Sequence, residues 1–226
     1  FLDIENIVKI CRENDIDAVH PGYGFLAENA KFVEALDEAG IQFIGPRPEV
    51  MTLMGDKIGS RNFVQERGFP VAPSVLDTGD AEQFIARIME IGFPLVIKAS
   101  AGGGGKGMQI VRDANGLSDV VATAKVEAQR YFGDPRIYAE RYIENPRHIE
   151  VQVLGDQHGN CVHLWERECS IQRRFQKVIE ETPSPALNQE QRQSICDVAV
   201  GIAQSVNYTS AGTIEFIYAP DGEFYF

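Results

Sequence analysis

The chain has 226 residues, 44% of them hydrophobic, which is enough for one substantial core or two to three small ones. Thirty-three acids against twenty-one bases give a net charge of -12, which repels polyanions, argues against non-specific nucleic-acid binding and requires any anion site to be local. The four cysteines, Cys11, Cys161, Cys169 and Cys196, contain no C-x-x-C pair, and no apolar run approaches bilayer length. Neither a zinc site, a disulfide framework nor a membrane span is signalled; reduced thiols in a reducing compartment are expected.

In chain order, residues 3–13 carry a helical stripe at Ile4, Ile7, Val8 and Cys11, and 16–19 reads as a short strand. A second unit repeats the order, with a helix over 28–39, Gly40 as its stop and a strand over 41–44. Helix, strand, helix, strand at this spacing predicts a parallel α/β domain whose beginning is missing. The chain starts at Phe1 and ends inside an apparent strand over 223–226, so it is expected to be an internal fragment of a longer protein.

Residues 48–68 read as a helical connector broken near Gly55. The pattern then changes to strand 70–76, helix 80–91, strand 94–99, a glycine loop, strand 108–112, helix 116–130 and strand 136–141. Asp80 followed by Gln83 is a capping-box signature, and Gly92 is a helix stop. This is an α+β module of lid size. Strands over 148–154 and 160–166 follow, then an irregular stretch to about 187, a helix over 189–206 opened by Asn188 and Gln191, and strands over 212–219 and 223–226.

The run of four glycines, Gly102 to Gly105, followed by Lys106 and Gly107, is costly to order and packs nothing. Gly102, Gly104 and Gly107 satisfy G-x-G-x-x-G, but a dinucleotide fold needs that loop to open a helix, and "MQIVR" reads as a strand. A P-loop needs Ser or Thr after Gly-Lys, and Gly107 stands there. A hairpin whose tip covers a phosphate chain with backbone N–H groups remains, against the plainer reading of a loose surface hairpin. Lys98 within "LVIKA" favours the phosphate reading, because an ammonium in an apolar strand needs a partner.

With these features in place, the chain resembles the ATP-grasp superfamily and, within it, the biotin carboxylases. The resemblance rests on "HPGYGFLAEN", "LMGDK", "IKASAGGGGKGM", "ENPRHIEVQVLGD", "ERECSIQRR" and "SAGTIEF", in that order along nearly the whole chain. "HPGYGF" and "NPRHIEVQ" separate it from other ATP-grasp ligases such as a carbamoyl-phosphate synthetase half. The fold class it implies is mixed α/β and α+β, with the end of an N-terminal parallel α/β domain over 1–45 and a helical connector over 46–69. A lid with the glycine-rich hairpin over 70–142 and the first part of an antiparallel C-terminal domain over 143–226 complete it.

The same resemblance implies ATP-dependent carboxylation of biotin with bicarbonate through carboxyphosphate, with Mg2+ or Mn2+ as metal. Lys57 and Lys98 match ATP-contacting lysines, Gly104 and Gly105 the tip over the phosphates, and Glu140, Arg141, Tyr142 and Ile143 the segment that meets adenine. An extended hinge suits that task, offering backbone groups to a purine edge beside an apolar wall. His148 matches a nucleotide-contacting histidine, Glu215 a metal ligand and Lys177 the residue that holds bicarbonate. Read on its own, Glu215 is an acid in an apolar strand that either faces water or is paired. The base cluster Arg167, Arg173, Arg174 and Lys177 could attract a small anion, or its arginines could form a solvated face balanced by Glu166 and Glu168.

Phe175 stands where the family usually has a histidine, so one nucleotide contact is lost or replaced by stacking, with altered ATP affinity expected before a changed reaction class. The family's next motif, with a second metal-binding acid, an arginine and a general base, is expected past Phe226, and the isolated stretch is expected to be inactive. A non-catalytic nucleotide-binding module is the alternative from another class. The resemblance further implies biotin carboxyl carrier and carboxyltransferase domains or subunits as partners and a homo-oligomeric parent. Neither nucleic acid nor a membrane is expected as a partner, and the implied location is the cytoplasm, or mitochondria in a eukaryote.

Overall fold

The computed structural model describes residues 1–101, 107–174 and 176–226. Its elements are α1 (Ile4–Glu13), β1 (Ala18–Val19), α2 (Ala30–Glu38), β2 (Gln42–Phe43), α3 (Pro48–Gly55), α4 (Lys57–Glu66), β3 (Ser74–Leu76), α5 (Ala81–Ile91) and β4 (Leu95–Ala99). They continue with β5 (Met108–Val111), α6 (Leu117–Phe132), β6 (Ile137–Arg141), β7 (Arg147–Gly155), β8 (Cys161–Arg173), β9 (Gln176–Glu181), α7 (Gln189–Ser205), β10 (Ser210–Tyr218) and β11 (Phe224–Tyr225). The chain divides into two compact units: Phe1–Phe69 with Glu150–Glu166 and Leu187–Ile214, and Pro70–Ile149 with Arg167–Ala186 and Glu215–Phe226.

In the first unit β1 and β2 pair in parallel, as the helix and strand order requires, though each strand is shorter than the sequence suggests because only two residues find ladder partners. Phe32, Val33 and Leu36 of α2 join Val8, Cys11, Leu26, Ile41 and Phe43 in one core. Asp3 and Asn29 start their helices by accepting from Asn6 N and Phe32 N. In α7, Asn188 and Gln191 form a complete capping box, and the face with Ile195, Cys196, Ala199, Ile202 and Ala203 is buried. Burial pushes the Cys196 thiol up to about 12, so it behaves as an apolar side chain.

The second unit contains a four-stranded antiparallel sheet in the order β3-β6-β4-β5. Leu95, Ile97 and Ala99 of β4 and Ile137 and Ala139 of β6 share a core with Phe84 and Ile88 of α5 and Leu117, Val121, Ala124 and Ala128 of α6. Asp80 caps α5 by accepting from Gln83 N, and Gly92 ends it at φ 81°. The reciprocal half of the expected capping box is replaced, because the Gln83 side chain accepts from Thr78 Oγ1 at 3.4 Å. The segment after the glycines is a strand, antiparallel to β4.

The remaining strands have the order β11-β10-β7-β8-β9. The stretch from 167 to 187, expected to be irregular, instead continues β8 to Arg173 and adds β9. Two features hid it: β9 is exposed at every residue, so it has no alternation, and its register with β8 shifts between Glu168 and Ile171 and again between Ile171 and Gln172.

Candidate functional site

Strand alternation places Lys98. Leu95, Ile97 and Ala99 point into the core, so Val96 and Lys98 face the other way. Glu140 of β6 lies opposite Val96, which makes it the diagonal neighbour of Lys98 on the same face, and the two side chains form an ion pair. The partner that an ammonium in this strand requires is therefore Glu140, itself buried.

Past Arg141, the last residue of β6, the hinge leaves the sheet. Arg141 N donates to Pro73 O at 2.9 Å and Tyr142 N to Pro94 O at 3.0 Å, so two of the four hinge donors are committed within the protein. Ile143 follows outside any strand and is half-buried.

The larger constellation draws one residue from each of four adjacent strands: Glu215 from β10, His148 from β7, Gln172 from β8 and Lys177 from β9. Lys177 Nζ donates to Glu215 Oε1 at 2.7 Å, and His148 Nε2 lies 3.5 Å from Glu215 Oε2. In a flat sheet β10 and β9 would be roughly 14 Å apart. The bulged hairpin, which twists its strands, and the long lysine side chain close that gap. Gln172 and Lys177 are register partners, and Gln172 Nε2 contacts His148 Nδ1 at 2.6 Å and Cys169 O at 2.8 Å.

Glu215 is thus the paired acid of the two alternatives its strand allowed. The hydrogen bond from His148, then the bond and charge of Lys177, hold its carboxyl down to about 2 against the effect of burial. It remains ionised and about half exposed, which suits one oxygen ligand of a hard divalent cation. Magnesium takes one or two protein carboxylates together with substrate phosphate oxygens, so the residues fit that metal.

Glu166 and Glu168 do not balance a local arginine face. Both are buried, at 1% and 3% relative exposure, and each takes a more distant partner: Glu166 accepts from Arg192 Nε at 2.8 Å and Glu168 from Arg147 Nη1 at 2.6 Å. Strand alternation turns both acids inward, and Arg167 pairs instead with Glu180 at 3.5 Å. Burial would raise the Glu168 carboxyl, but hydrogen bonds from Ser184, Arg147 and Ser170 outweigh it and lower it. Ser170 Oγ also accepts from His148 N at 3.0 Å, which ties this buried acid to the backbone of the site histidine.

Lys57 begins α4 in the first unit, next to the Asp56 cap. An ammonium at the positive end of a helix does not stabilise the helix, so the position suits an incoming anion. Gly104, Gly105 and Phe175 lie outside the described residues. Sequence reading missed Gln172, Ser170, Glu168 and Arg147; the available signal was their place inside "NPRHIE" and "ERECSIQRR", which marked the segments but not the contacts.

The family described as "Carbamoyl-phosphate synthase L chain, ATP binding domain" matches residues 56–226, and "Biotin carboxylase, N-terminal domain" matches residues 1–51. Pyruvate carboxylase of Bacillus subtilis (strain 168) is 48% identical over all of this chain and 20% of that protein. Biotin carboxylase 2 of the same strain is also 48% identical, over all of this chain and 51% of that protein. Among solved structures, the biotin carboxylase-beta-gamma-ATP complex from Campylobacter jejuni has a TM-score of 0.90 at 44% identity, covering 100% of this chain and 51% of that one. The biotin carboxylase domain dimer of Hydrogenobacter thermophilus 2-oxoglutarate carboxylase, with MgADP, ADP and bicarbonate, has a TM-score of 0.88 at 46% identity, covering 100% and 50%.

A small antiparallel sheet with a paired lysine and a larger sheet carrying an ionised glutamate beside a second lysine thus belong to an ATP-grasp fold. The chain belongs to the biotin carboxylase family. It spans about half the length of the curated biotin carboxylases it matches. Among the described residues, no helix is long and apolar enough to cross a membrane.

Proposed function

We propose that this chain forms the nucleotide grip of an ATP-dependent biotin carboxylase, which joins bicarbonate to biotin through carboxyphosphate. The observation that carries this reading is the convergence of His148 and Lys177, from two other strands, on the Glu215 carboxylate, in a chain 44–48% identical to relatives named biotin carboxylase or pyruvate carboxylase. Lys57 and Lys98 neutralise the nucleotide phosphates, and Gly104 and Gly105, which lie outside the described residues, are assigned to phosphate contact by sequence resemblance alone. Glu140 to Ile143 receive adenine: with the Arg141 and Tyr142 donors already committed, the hinge carbonyls and Ile143 read the purine edge.

His148 contacts the nucleotide and Lys177 holds bicarbonate. Glu215 would hold Mg2+ or Mn2+, which when bound would neutralise charge on the transferring phosphate. Ionised acid and lysines held in place before substrate arrives provide charge stabilisation without reorganisation. The lid over 70–142 excludes water that would hydrolyse carboxyphosphate. The parent protein is a homo-oligomer whose carboxylated biotin sits on a carrier domain or subunit and serves a carboxyltransferase.

The test is bicarbonate-dependent ADP release by the full-length protein, with and without free biotin. Stimulation by biotin, lost in Lys177→Met, is expected; ATP cleavage indifferent to biotin would move the chain to another ATP-grasp ligase.

A further inference from the structure

We propose that Gln172 is a positioning residue that fixes His148 in its Nε2–H tautomer, so that the ring donates to Glu215. Gln172 Nε2 lies 2.8 Å from the Cys169 carbonyl oxygen and 2.6 Å from His148 Nδ1. A carbonyl oxygen only accepts, so the amide atom facing it must be the NH2 group; the flipped amide would set two oxygens against each other. The NH2 group has two hydrogens and accepts nothing, so its second hydrogen points at Nδ1. Nδ1 must therefore be unprotonated, and the ring proton sits on Nε2, the nitrogen 3.5 Å from Glu215 Oε2.

The backbone of the histidine is held by the same hairpin. His148 N donates to Ser170 Oγ, and Ser170 Oγ donates to Glu168 Oε1 at 3.1 Å. The other oxygen of this buried carboxylate accepts from Ser184 Oγ at 2.6 Å. Gln172 also sits opposite Lys177 in the β8–β9 register. One hairpin therefore supplies both the lysine on one oxygen of Glu215 and the amide that aims a histidine proton at the other. Such outer contacts set which ring nitrogen donates and where it points. This inference concerns proton position and is independent of the reaction proposed above.

Nitrogen NMR of the chain labelled with 15N-histidine reads the tautomer directly, the four histidines being assigned by substitution. In its neutral form, wild-type His148 is expected to carry its ring proton on Nε2 alone. Glu215→Ala removes the acceptor, leaving Gln172 to hold the tautomer, and the same Nε2–H signal is expected. Gln172→Glu places an acceptor at Nδ1 and is expected to bring a proton there. An Nδ1–H ring in the wild type or in Glu215→Ala, or a Gln172→Glu spectrum matching the wild type, overturns the proposal. The wild-type spectrum alone can overturn it if either variant fails to fold, and none of these signals reports turnover.

Discussion

Glu140 and Lys98 are diagonal neighbours on β6 and β4, paired on the sheet face opposite the core residues Leu95, Ile97 and Ala99. Removing one charge leaves the other half-desolvated, whereas removing both does not. Glu140→Gln is expected to cost about 1–3 kcal/mol in urea denaturation. Glu140→Gln with Lys98→Met is expected to recover most of that loss. A double-mutant cycle with no coupling between the two would show the pair to be inert.

Lys98→Met tests the proposed phosphate contact, and because it also leaves Glu140 unmatched, affinity is read under conditions where the variant is shown to be folded. Losing one charge-assisted contact to phosphate costs about 1.5–3 kcal/mol, or roughly 10- to 150-fold in ATP affinity, by titration calorimetry on the full-length protein. Unchanged affinity would remove Lys98 from the nucleotide site.

Glu215 sets a pH dependence whose sign follows from its lowered carboxyl. Its folded-state value of about 2 lies below the ordinary glutamate value of about 4.3, so its stabilising contribution is complete above the ordinary range and is lost as pH falls toward the folded value. The stability gap between wild type and Glu215→Gln is expected to narrow as pH falls below about 4 and to be largely closed by about pH 2. Urea midpoints measured between about pH 5 and about pH 2 check it, and a gap that stays constant or widens across that window contradicts it.

Glu168 is the buried anchor of the hairpin, with Arg147, Ser170 and Ser184 all bonded to it. Glu168→Ala leaves three polar groups without their acceptor and is expected to cost about 2–4 kcal/mol by chemical denaturation. The backbone N–H resonance of His148 is expected to shift as well, because its acceptor Ser170 Oγ loses its own partner.

Gly155 packs where a Cβ would strike the carbonyl of Tyr208, and backbone cannot swing aside as a flexible side chain can. Gly155→Ala is expected to destabilise the protein by about 1–3 kcal/mol through overpacking, read as a lowered midpoint in thermal unfolding. An unchanged midpoint would mean that the β7 backbone shifts there without strain.

The order of helices and strands was readable wherever a periodic apolar face met a cap or stop, as in α7 with Asn188 and α5 with Gly92. Strand β9 was not, because a strand exposed along its whole length offers no alternation, and its bulged register depends on a partner outside the local sequence. Motifs identified Lys177 and Glu215, yet their contact spans 38 residues of chain and is fixed by strand order. The buried acids show the same limit: proximity in sequence pointed Glu166 and Glu168 at neighbouring arginines, while inward alternation gave them Arg192 and Arg147, 26 and 21 residues away.

Because Lys98 and Lys177 each rest against a carboxylate, a ligand meets a pair at both places rather than a bare cation. A simple salt anion arriving alone must separate lysine from acid and leaves that acid without a counter-charge. In the roles proposed above, bicarbonate at Lys177 together with a divalent cation at Glu215 would satisfy both members of that pair at once, anion to lysine and cation to carboxylate. On that proposal selectivity would come from swapping partners two at a time, a form of discrimination available even to a protein whose net charge of -12 repels anions from a distance.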